Sequence, residues 1–116
     1  MAISNCRWAD WSSLPIEVAG PGVLRQTFHG DQCSVIRYVY SPGAIFANHA
    51  HPEEQTTIVL TGQIAFTIDD VEQSFGPGDC LLAKANVPHG ARVIGDITVE
   101  SINVLSPRRN NSPGSR

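Results

Sequence analysis

The feature that most constrains the fold of this chain is a series of short, apolar, strand-length segments separated by turn residues at near-regular intervals. β-Branched and aromatic residues are concentrated in the segments, and Gly, Pro, Asp and Asn fall between them, which is typical of β-strands and their turns. None of the segments shows the 3.6-residue period of an amphipathic helix. We therefore predict an all-β sandwich or barrel of about eight strands, at residues 23–29, 33–40, 56–60, 63–68, 71–75, 80–83, 90–94 and 98–105.

The connections between these segments predict how neighbouring strands pair. Thr61 and Gly62 alone separate two of the segments, and a two-residue connection of this kind predicts a tight β-hairpin. In the second of the two strands, Ile64, Phe66 and Ile68 recur at every second position. Because side chains alternate between the faces of a strand, this period predicts that one face is buried in the core.

The charge of the chain is distributed unevenly. Its 116 residues include eight Lys and Arg and eleven Asp and Glu, which gives a formal net charge of −3. Three of the basic residues, Arg108, Arg109 and Arg116, lie at the C-terminus, so residues 1–105 carry five basic and eleven acidic side chains, a net charge of −6. Nucleic-acid binding rests on Lys and Arg at phosphates, so this acidic body predicts no nucleic-acid partner.

Hydropathy and cysteine usage predict the compartment. No apolar run approaches the roughly 18 residues of a membrane span, and Arg7 and Asp10 interrupt the N-terminal segment. We therefore expect neither a membrane span nor a signal peptide, and no membrane partner. The three cysteines are odd in number and show no Cys-x-x-Cys spacing. Free thiols in a cytoplasmic protein are the expected state of Cys6, Cys33 and Cys80.

Composition changes at both ends of what length predicts to be one domain. Residues 1–105 form the predicted domain, which begins with an arm at residues 1–22, and the Ser-, Pro-, Asn- and Arg-rich residues 106–116 predict a flexible tail. Trp8 and Trp11 lie in the arm outside any periodic run. Such residues pack against the barrel or a neighbouring subunit, and we expect a homodimer with the arm at or near the contact.

Three of the four histidines lie in two segments that can approach each other. His49 and His51 are one residue apart on an extended segment, so their side chains point to the same side. Gln55 follows four residues later and can return to that side, and His89 ends a second strand-like segment that begins at Gly78. Three imidazoles and one oxygen make a credible shell for one divalent transition metal, whether nickel, manganese, iron, zinc or cobalt.

Other polar residues near these segments have simpler expected roles. Glu53 and Glu54 are competing oxygen donors, but we expect both to be solvated carboxylates of a loop. His29 stands at a strand end before Gly30, which predicts a surface or turn position. Lys84 is expected to be solvated.

The two segments resemble the paired motifs of the cupin superfamily. The first motif, Gly, five residues, His-x-His, three or four residues, Glu, six residues, Gly, is matched by Gly43, His49, His51, Gln55 and Gly62, with Gln in place of Glu. In the second motif the Gly and His are matched by Gly78 and His89, whereas Lys84, Asn86 and Val93 replace the Pro, Gly and Asn. The resemblance covers roughly residues 43–93 and implies a double-stranded β-helix, or jelly-roll barrel, with the metal inside its wide mouth.

A closer resemblance concerns the catalytic residues. His-x-His-Pro-x-Glu-Gln, then Asn-Val-Pro-His-Gly, then a strand ending in Ser-Pro and Arg is similar to the small cupins that linearise unsaturated uronate sugars. An Asp, a Phe and an Arg that serve the reaction there correspond here to Asn103, Leu105 and Arg109. The resemblance implies that Arg109, with Arg108 as the alternative, clamps a substrate carboxylate. The other interpretation of these two adjacent arginines is a solvated tail. Asn103 cannot replace the Asp as a general base, because an amide does not take up a proton as a carboxylate does.

Three classes of function follow from these patterns. The first is a metal-dependent lyase or isomerase that moves protons on a small oxygenated or carboxylated substrate such as an unsaturated uronate. The second is a cupin dioxygenase or cyclase for an aromatic or polyketide-like substrate, in a cavity lined by Phe46, Phe66 and Leu105. The third is a non-catalytic protein that binds a metal or a sugar, and the absence of the Asp at position 103 favours it.

Overall fold

Two antiparallel β-sheets form the body of the protein. The computed structural model describes residues 5–109, and the prediction of an all-β fold is confirmed, since these residues contain no α-helix. Within this part of the chain no helix is long and apolar enough to cross a membrane. The elements are a 3₁₀ turn (Trp11–Ser13) and the strands β1 (Glu17–Gly20), β2 (Val23–His29), β3 (Ser34–Tyr40), β4 (Ile45–His49), β5 (Glu54–Thr61), β6 (Gln63–Ile68), β7 (Val71–Phe75), β8 (Cys80–Ala83), β9 (His89–Ile94) and β10 (Val99–Ser106).

The strand order interleaves distant parts of the chain. The larger sheet has the order β1-β2-β3-β10-β5-β8 and the smaller sheet the order β4-β9-β6-β7. β10 therefore lies between β3 and β5, and its Asn103 faces Ile36 on one side and Thr57 on the other. This register places the start of β5, the end of β10 and the start of β3 at the same end of the barrel.

The predicted hairpin at Thr61 and Gly62 is wrong. β5 pairs with β10 and β8, whereas β6 pairs with β7 and β9, so the connection carries the chain from one sheet to the other. Gly62 has a φ of 78°, and a Cβ atom at this position would lie 2.7 Å from Val99 Cγ2. Glycine is needed here because the crossing requires both a left-handed backbone and close contact with β10.

Two strands were absent from the sequence-based expectation. β1 is a four-residue strand within the predicted arm, and it pairs only with β2. β4 lies at the edge of the smaller sheet, directly after the turn at Gly43. Its five residues alternate too little in hydrophobicity to be separated from a loop, since Ala47, Asn48 and His49 follow its two large apolar residues.

The apolar core fills the space between the sheets. Ile64 and Phe66 are buried and Ile68 packs against them, which confirms the predicted inward face of β6. The fully buried apolar side chains of the core come from both sheets and include Val23, Ile36, Tyr40, Val59, Ile64, Val99 and Leu105. Towards the end of the barrel where β5 begins, many of the buried side chains are polar, and these include His51, Glu53, Gln55 and His89.

The described parts of the two terminal segments lie beside β2 and β3. In the arm, Arg7 forms an ion pair with Asp31 (3.1 Å), and the Trp8 side chain is 71% exposed. At the other end, β10 extends to Ser106, one residue into the predicted tail. Residues 107–109 of the predicted tail are described, and the Arg109 N–H bonds to Ser34 at the start of β3. Residues 110–116 of the tail and residues 1–4 of the arm lie outside the described residues. Among residues 5–109 all three cysteines are free thiols, as predicted.

Candidate metal centre

The three histidines predicted as ligands come together at the polar end of the barrel. His49 ends β4, His89 begins β9, and the two are opposite each other in the sheet after an irregularity in the β4–β9 register. His51 follows β4 in the loop before β5. The ring centroid of His89 lies 4.5 Å from that of His49 and 4.7 Å from that of His51. One ligand atom from each ring lies within 4.8 Å of the other two, a spacing that fits coordination of a single ion.

Backbone carbonyl groups fix which nitrogen of each imidazole carries the proton. The Nδ1 atoms of His49, His51 and His89 lie 2.9, 3.0 and 2.9 Å from the carbonyl oxygens of Ala47, Glu53 and Val87, respectively. A carbonyl oxygen only accepts hydrogen bonds, so each Nδ1 is the donor and each Nε2 keeps its lone pair. Within residues 5–109, His89 Nε2 is buried and has no hydrogen-bond partner. A buried lone pair of this kind is what a metal ion satisfies.

Gln55 supplies an oxygen beside these nitrogens. Its Oε1 lies 3.3 Å from His51 Nε2, and its Nε2 donates a hydrogen bond to Thr57 Oγ1 (3.0 Å). Both Oε1 and the imidazole Nε2 carry lone pairs, so they repel each other unless a cation lies between them. Neighbouring ligands about 2.1 Å from a metal are themselves roughly 3.0–3.4 Å apart. The spacing of Gln55 and His51 therefore fits two ligands of one ion.

Burial keeps His51 and His89 in the neutral form that binds metals. Desolvation is the largest effect on His89 and lowers its pKa to about 4. The pKa of His51 is lowered as well, first by burial and then by the positive charge of Arg109. Both imidazoles are consequently neutral at neutral pH, and no proton has to be displaced when a metal binds.

Close contacts hold the two histidine-bearing segments together. The Asn86 N–H donates a hydrogen bond to the His51 carbonyl oxygen (2.8 Å), and Asn86 adopts a left-handed backbone with a φ of 65°. One residue after His89, a Cβ atom at Gly90 would lie 2.9 Å from the Phe46 carbonyl oxygen. These contacts leave β9 close enough to β4 for the imidazoles to meet.

Glu53 differs from the expectation. It was predicted to be a solvated loop carboxylate, but only 4% of it is exposed, whereas the adjacent Glu54 is exposed as predicted. Glu53 Oε1 lies 3.3 Å from His51 Nδ1 and 3.5 Å from Arg109 Nη2. The available signal was its position two residues before the buried Gln55, because residues two apart on an extended segment share a face.

Arg109 lies beside the histidines, whereas Arg108 is exposed. The Arg109 side chain is 17% exposed and pairs with Glu53, and its backbone N–H donates a hydrogen bond to Ser34 Oγ (2.9 Å). Its Nε atom is buried and lacks a hydrogen-bond partner among residues 5–109. Arg109 thus lies within electrostatic reach of His51 and His89, with its guanidinium paired to the Glu53 carboxylate.

Asn103 and Leu105 share the inward face of β10, as predicted. They are 3% and 1% exposed. Asn103 Oδ1 accepts a hydrogen bond from Ser101 Oγ (3.2 Å), so its amide oxygen is already occupied. The Tyr40 hydroxyl bonds to Ser101 in turn, and burial raises the pKa of Tyr40, which keeps this hydroxyl protonated. A line of hydrogen-bonded polar groups therefore runs from Asn103 into the core.

An aromatic cluster flanks the metal centre. The Phe46 ring lies 5.0 Å from His49, 5.9 Å from Tyr38 and 6.4 Å from Tyr40, measured between centroids. Phe66, which was also predicted to line the cavity, is buried in the core and packs against Phe75 (6.2 Å). Tyr38 and Tyr40 were not predicted as site residues, although the alternating pattern of β3 places both on its inner face.

The remaining polar residues lie outside the histidine cluster. His29 is half-buried, and its Nδ1 lies 2.8 Å from Ser34 Oγ. Lys84 is exposed, as predicted. The group of described residues that can hold a metal comprises His49, His51 and His89, with Gln55 as the neighbouring oxygen donor.

Comparisons with known proteins agree with this architecture. The sequence profile of the cupin domain family matches residues 36–105. An RmlC-like cupin from Shewanella frigidimarina is 24% identical with a TM-score of 0.81, over 91% of this chain and 95% of that one. KdgF from Halomonas sp. is 23% identical with a TM-score of 0.75, over 83% of this chain and 88% of that one.

A larger protein contains the same fold as part of its chain. Oxalate decarboxylase from Lactobacillus farciminis, in complex with formate, is 19% identical with a TM-score of 0.83, over 96% of this chain and 35% of that one. At these identities the likenesses establish the fold alone. No curated protein matches the sequence.

Proposed function

This chain belongs to the cupin family, and on that premise we propose that it is a metal-dependent enzyme that transfers protons on a small carboxylated substrate. An unsaturated uronate is the substrate we favour. The observation that carries the proposal is Arg109, a largely buried guanidinium whose Nε lacks a hydrogen-bond partner among the described residues. It lies beside three imidazoles whose Nε2 atoms are free to bind a metal.

The metal would be held by His49, His51 and His89, with the amide oxygen of Gln55 as fourth ligand. When bound, a divalent ion supplies Lewis-acid polarisation of a substrate oxygen. An amide oxygen cancels none of the ion's charge, whereas the carboxylate usual at this motif position would cancel one unit. Gln55 therefore leaves a stronger electrostatic attraction for an oxygen that gains negative charge during the reaction.

Arg109 would recognise the substrate carboxylate. Residues 1–105 carry a net charge of −6, so an anion meets few attractive groups on the rest of the domain. Asn103 would orient the substrate by hydrogen bonding, since its amide cannot act as a base. Ser101 donates a hydrogen bond to Asn103, and Tyr40 bonds to Ser101 in turn. These bonds restrict the orientation of the Asn103 side chain.

The test is turnover of an unsaturated uronate monosaccharide by protein loaded with nickel, manganese, iron, zinc or cobalt. Opening the ring removes the double bond conjugated to the carboxylate, so loss of ultraviolet absorbance reports the reaction. His89→Ala is the matched inactive variant, because it removes one ligand at the metal centre. An absence of turnover with all five metals contradicts the proposal.

A dioxygenase or cyclase acting on an aromatic substrate is the second candidate. The observation that favours it is the cluster of Phe46, Tyr38 and Tyr40 beside His49, which offers an apolar surface next to the metal. Oxygen uptake by ferrous protein in the presence of small phenols, absent with zinc-loaded protein, would support this second function. A non-catalytic binding protein would instead show saturable uronate binding without turnover.

We further propose that the protein is a cytoplasmic homodimer without nucleic-acid or membrane partners. The exposed apolar side chains of the arm and β1, Trp8, Ile16 and Val18, support a contact there. Light scattering of the full chain tests the assembly, and a monomer at micromolar concentration would contradict it.

A further inference from the structure

We propose that Glu53 is a positioning residue whose carboxylate holds the Arg109 guanidinium at the edge of the metal centre. Arg109 then meets the substrate carboxylate in one fixed orientation. The identity of that substrate rests on the proposed function. The contact between Glu53 and Arg109 does not.

Two anchors fix Arg109, one on its side chain and one on its backbone. Glu53 Oε1 lies 3.5 Å from Arg109 Nη2, and the two side chains are 5% and 17% exposed. Solvent screening is weak for a pair buried to this degree. The second anchor is the hydrogen bond from the Arg109 N–H to Ser34 Oγ (2.9 Å). The segment after β10 is thereby held across the start of β3.

The charge balance explains why orientation matters at this position. Glu53 and Arg109 together carry no net charge, so an approaching anion gains little from long-range attraction to the pair. Its binding must come from directed hydrogen bonds to the remaining guanidinium donors. Arg109 has N–H donors beyond its Nη2 contact with Glu53, and its buried Nε lacks a hydrogen-bond partner within residues 5–109. A guanidinium free to rotate would present this donor in the wrong direction most of the time.

Glu53 also contacts the metal ligand His51. Its backbone oxygen accepts the His51 Nδ1–H (3.0 Å), and its carboxylate oxygen lies 3.3 Å from the same nitrogen. A replacement of Glu53 can therefore act through His51 as well as through Arg109. Exchange at Arg109, metal content and the effect of the replacement in an Arg109 variant distinguish the two routes. Glu54→Gln is the matched control, because it makes the same change at the adjacent, exposed residue.

The first experiment follows the position of Arg109 directly and needs no substrate. Hydrogen exchange of the Arg109 Nε–H is measured by NMR on metal-loaded protein, with the signal assigned by its loss in Arg109→Lys. Local freedom speeds exchange, and we expect Glu53→Gln to accelerate it by about tenfold or more. Glu54→Gln should leave it unchanged. Equal exchange in Glu53→Gln and wild type would overturn the proposal.

The second experiment measures the consequence for catalysis, with the unsaturated uronate as substrate. Glu53→Gln should raise KM by about tenfold, with kcat changed by less than about twofold and metal content unchanged. In an Arg109→Gln background, the same replacement should raise KM by less than about twofold, because its target is gone. An undiminished effect in that background, or loss of metal, would assign the role of Glu53 to His51 and overturn the proposal. If wild-type protein does not act on uronates, the proposed function fails, and the exchange measurement alone decides the role of Glu53.

Discussion

Replacing Gly62 with alanine would force a side chain into the point where the chain crosses from the larger sheet to the smaller one. The added Cβ would lie 2.7 Å from Val99 Cγ2 and 2.9 Å from the Thr98 carbonyl oxygen. The backbone there has a φ of 78°, and a left-handed conformation costs an L-residue about 1–2 kcal/mol. Overpacking against β10 adds about 1–3 kcal/mol.

A second glycine separates these two contributions. Gly78 has a φ of 90°, but a Cβ atom there would have no neighbour within 4 Å. Gly78→Ala should therefore lower the free energy of unfolding only by the cost of the left-handed backbone. That cost is reduced by about 0.5 kcal/mol, because alanine also restricts the unfolded chain. We expect losses in the free energy of unfolding of about 1 kcal/mol for Gly78→Ala and about 2–4 kcal/mol for Gly62→Ala.

Urea denaturation of both variants, with and without metal, is the appropriate assay, since the midpoints convert to free energies when the slopes agree. The reasoning would be refuted by equal losses in the two variants. That result would mean that the close contact with Val99 and Thr98 adds nothing to the loss in free energy of unfolding. The positive φ alone would then account for the loss at the crossing.

The other predictions concern the metal and the anion site. His89→Ala should lower bound metal, measured by elemental analysis, from one equivalent to well below half, because it removes a buried ligand with no alternative donor in the described cluster. Chelation of the metal should lower the Tm by about 10 °C or more, since an ion at a thousand times its Kd contributes about 4 kcal/mol to stability. Arg109→Gln should lower kcat/KM for a uronate by about tenfold to hundredfold, the worth of a charged hydrogen bond, at unchanged metal content. A variant Arg109→Gln with full activity would remove the arginine from substrate recognition.

The histidine cluster could be predicted from the sequence because part of its geometry is local and the motif spacing supplies the rest. His49 and His51 share a side of an extended segment whatever the rest of the fold does, and the motif spacing brings His89 to the same end. The crossing at Gly62 could not be predicted in the same way. Two residues between two strands show that the chain bends, but the choice between a hairpin and a change of sheet depends on distant strands. Here β10 and β8 occupy the two edges of β5, so neither edge is left for β6.

The environment of Glu53 was likewise beyond the sequence. A glutamate between Pro52 and another glutamate is usually solvated. Here Glu53 pairs with Arg109, which is 56 positions further along the chain (109 − 53). The composition around Arg109 is rich in Ser, Pro and Asn, and it predicted a flexible tail and not a buried contact. Its place in the site was reached only through the spacing of Asn103, Leu105 and Arg109.

The central position of β10 has a consequence for the protein during its synthesis. β3 and β5 each pair with β10, across 67 and 46 positions of chain, as measured from Asn103 to Ile36 and Thr57. Until β10 has left the ribosome, both strands keep an unpaired hydrogen-bonding edge, and such edges attract other strands. At roughly 5–20 residues per second, the growing chain carries these open edges for seconds after β5 has emerged. The nascent chain is thus most prone to aggregate after β5 has emerged from the ribosome and before β10 has emerged. Chaperone binding should be concentrated in that interval.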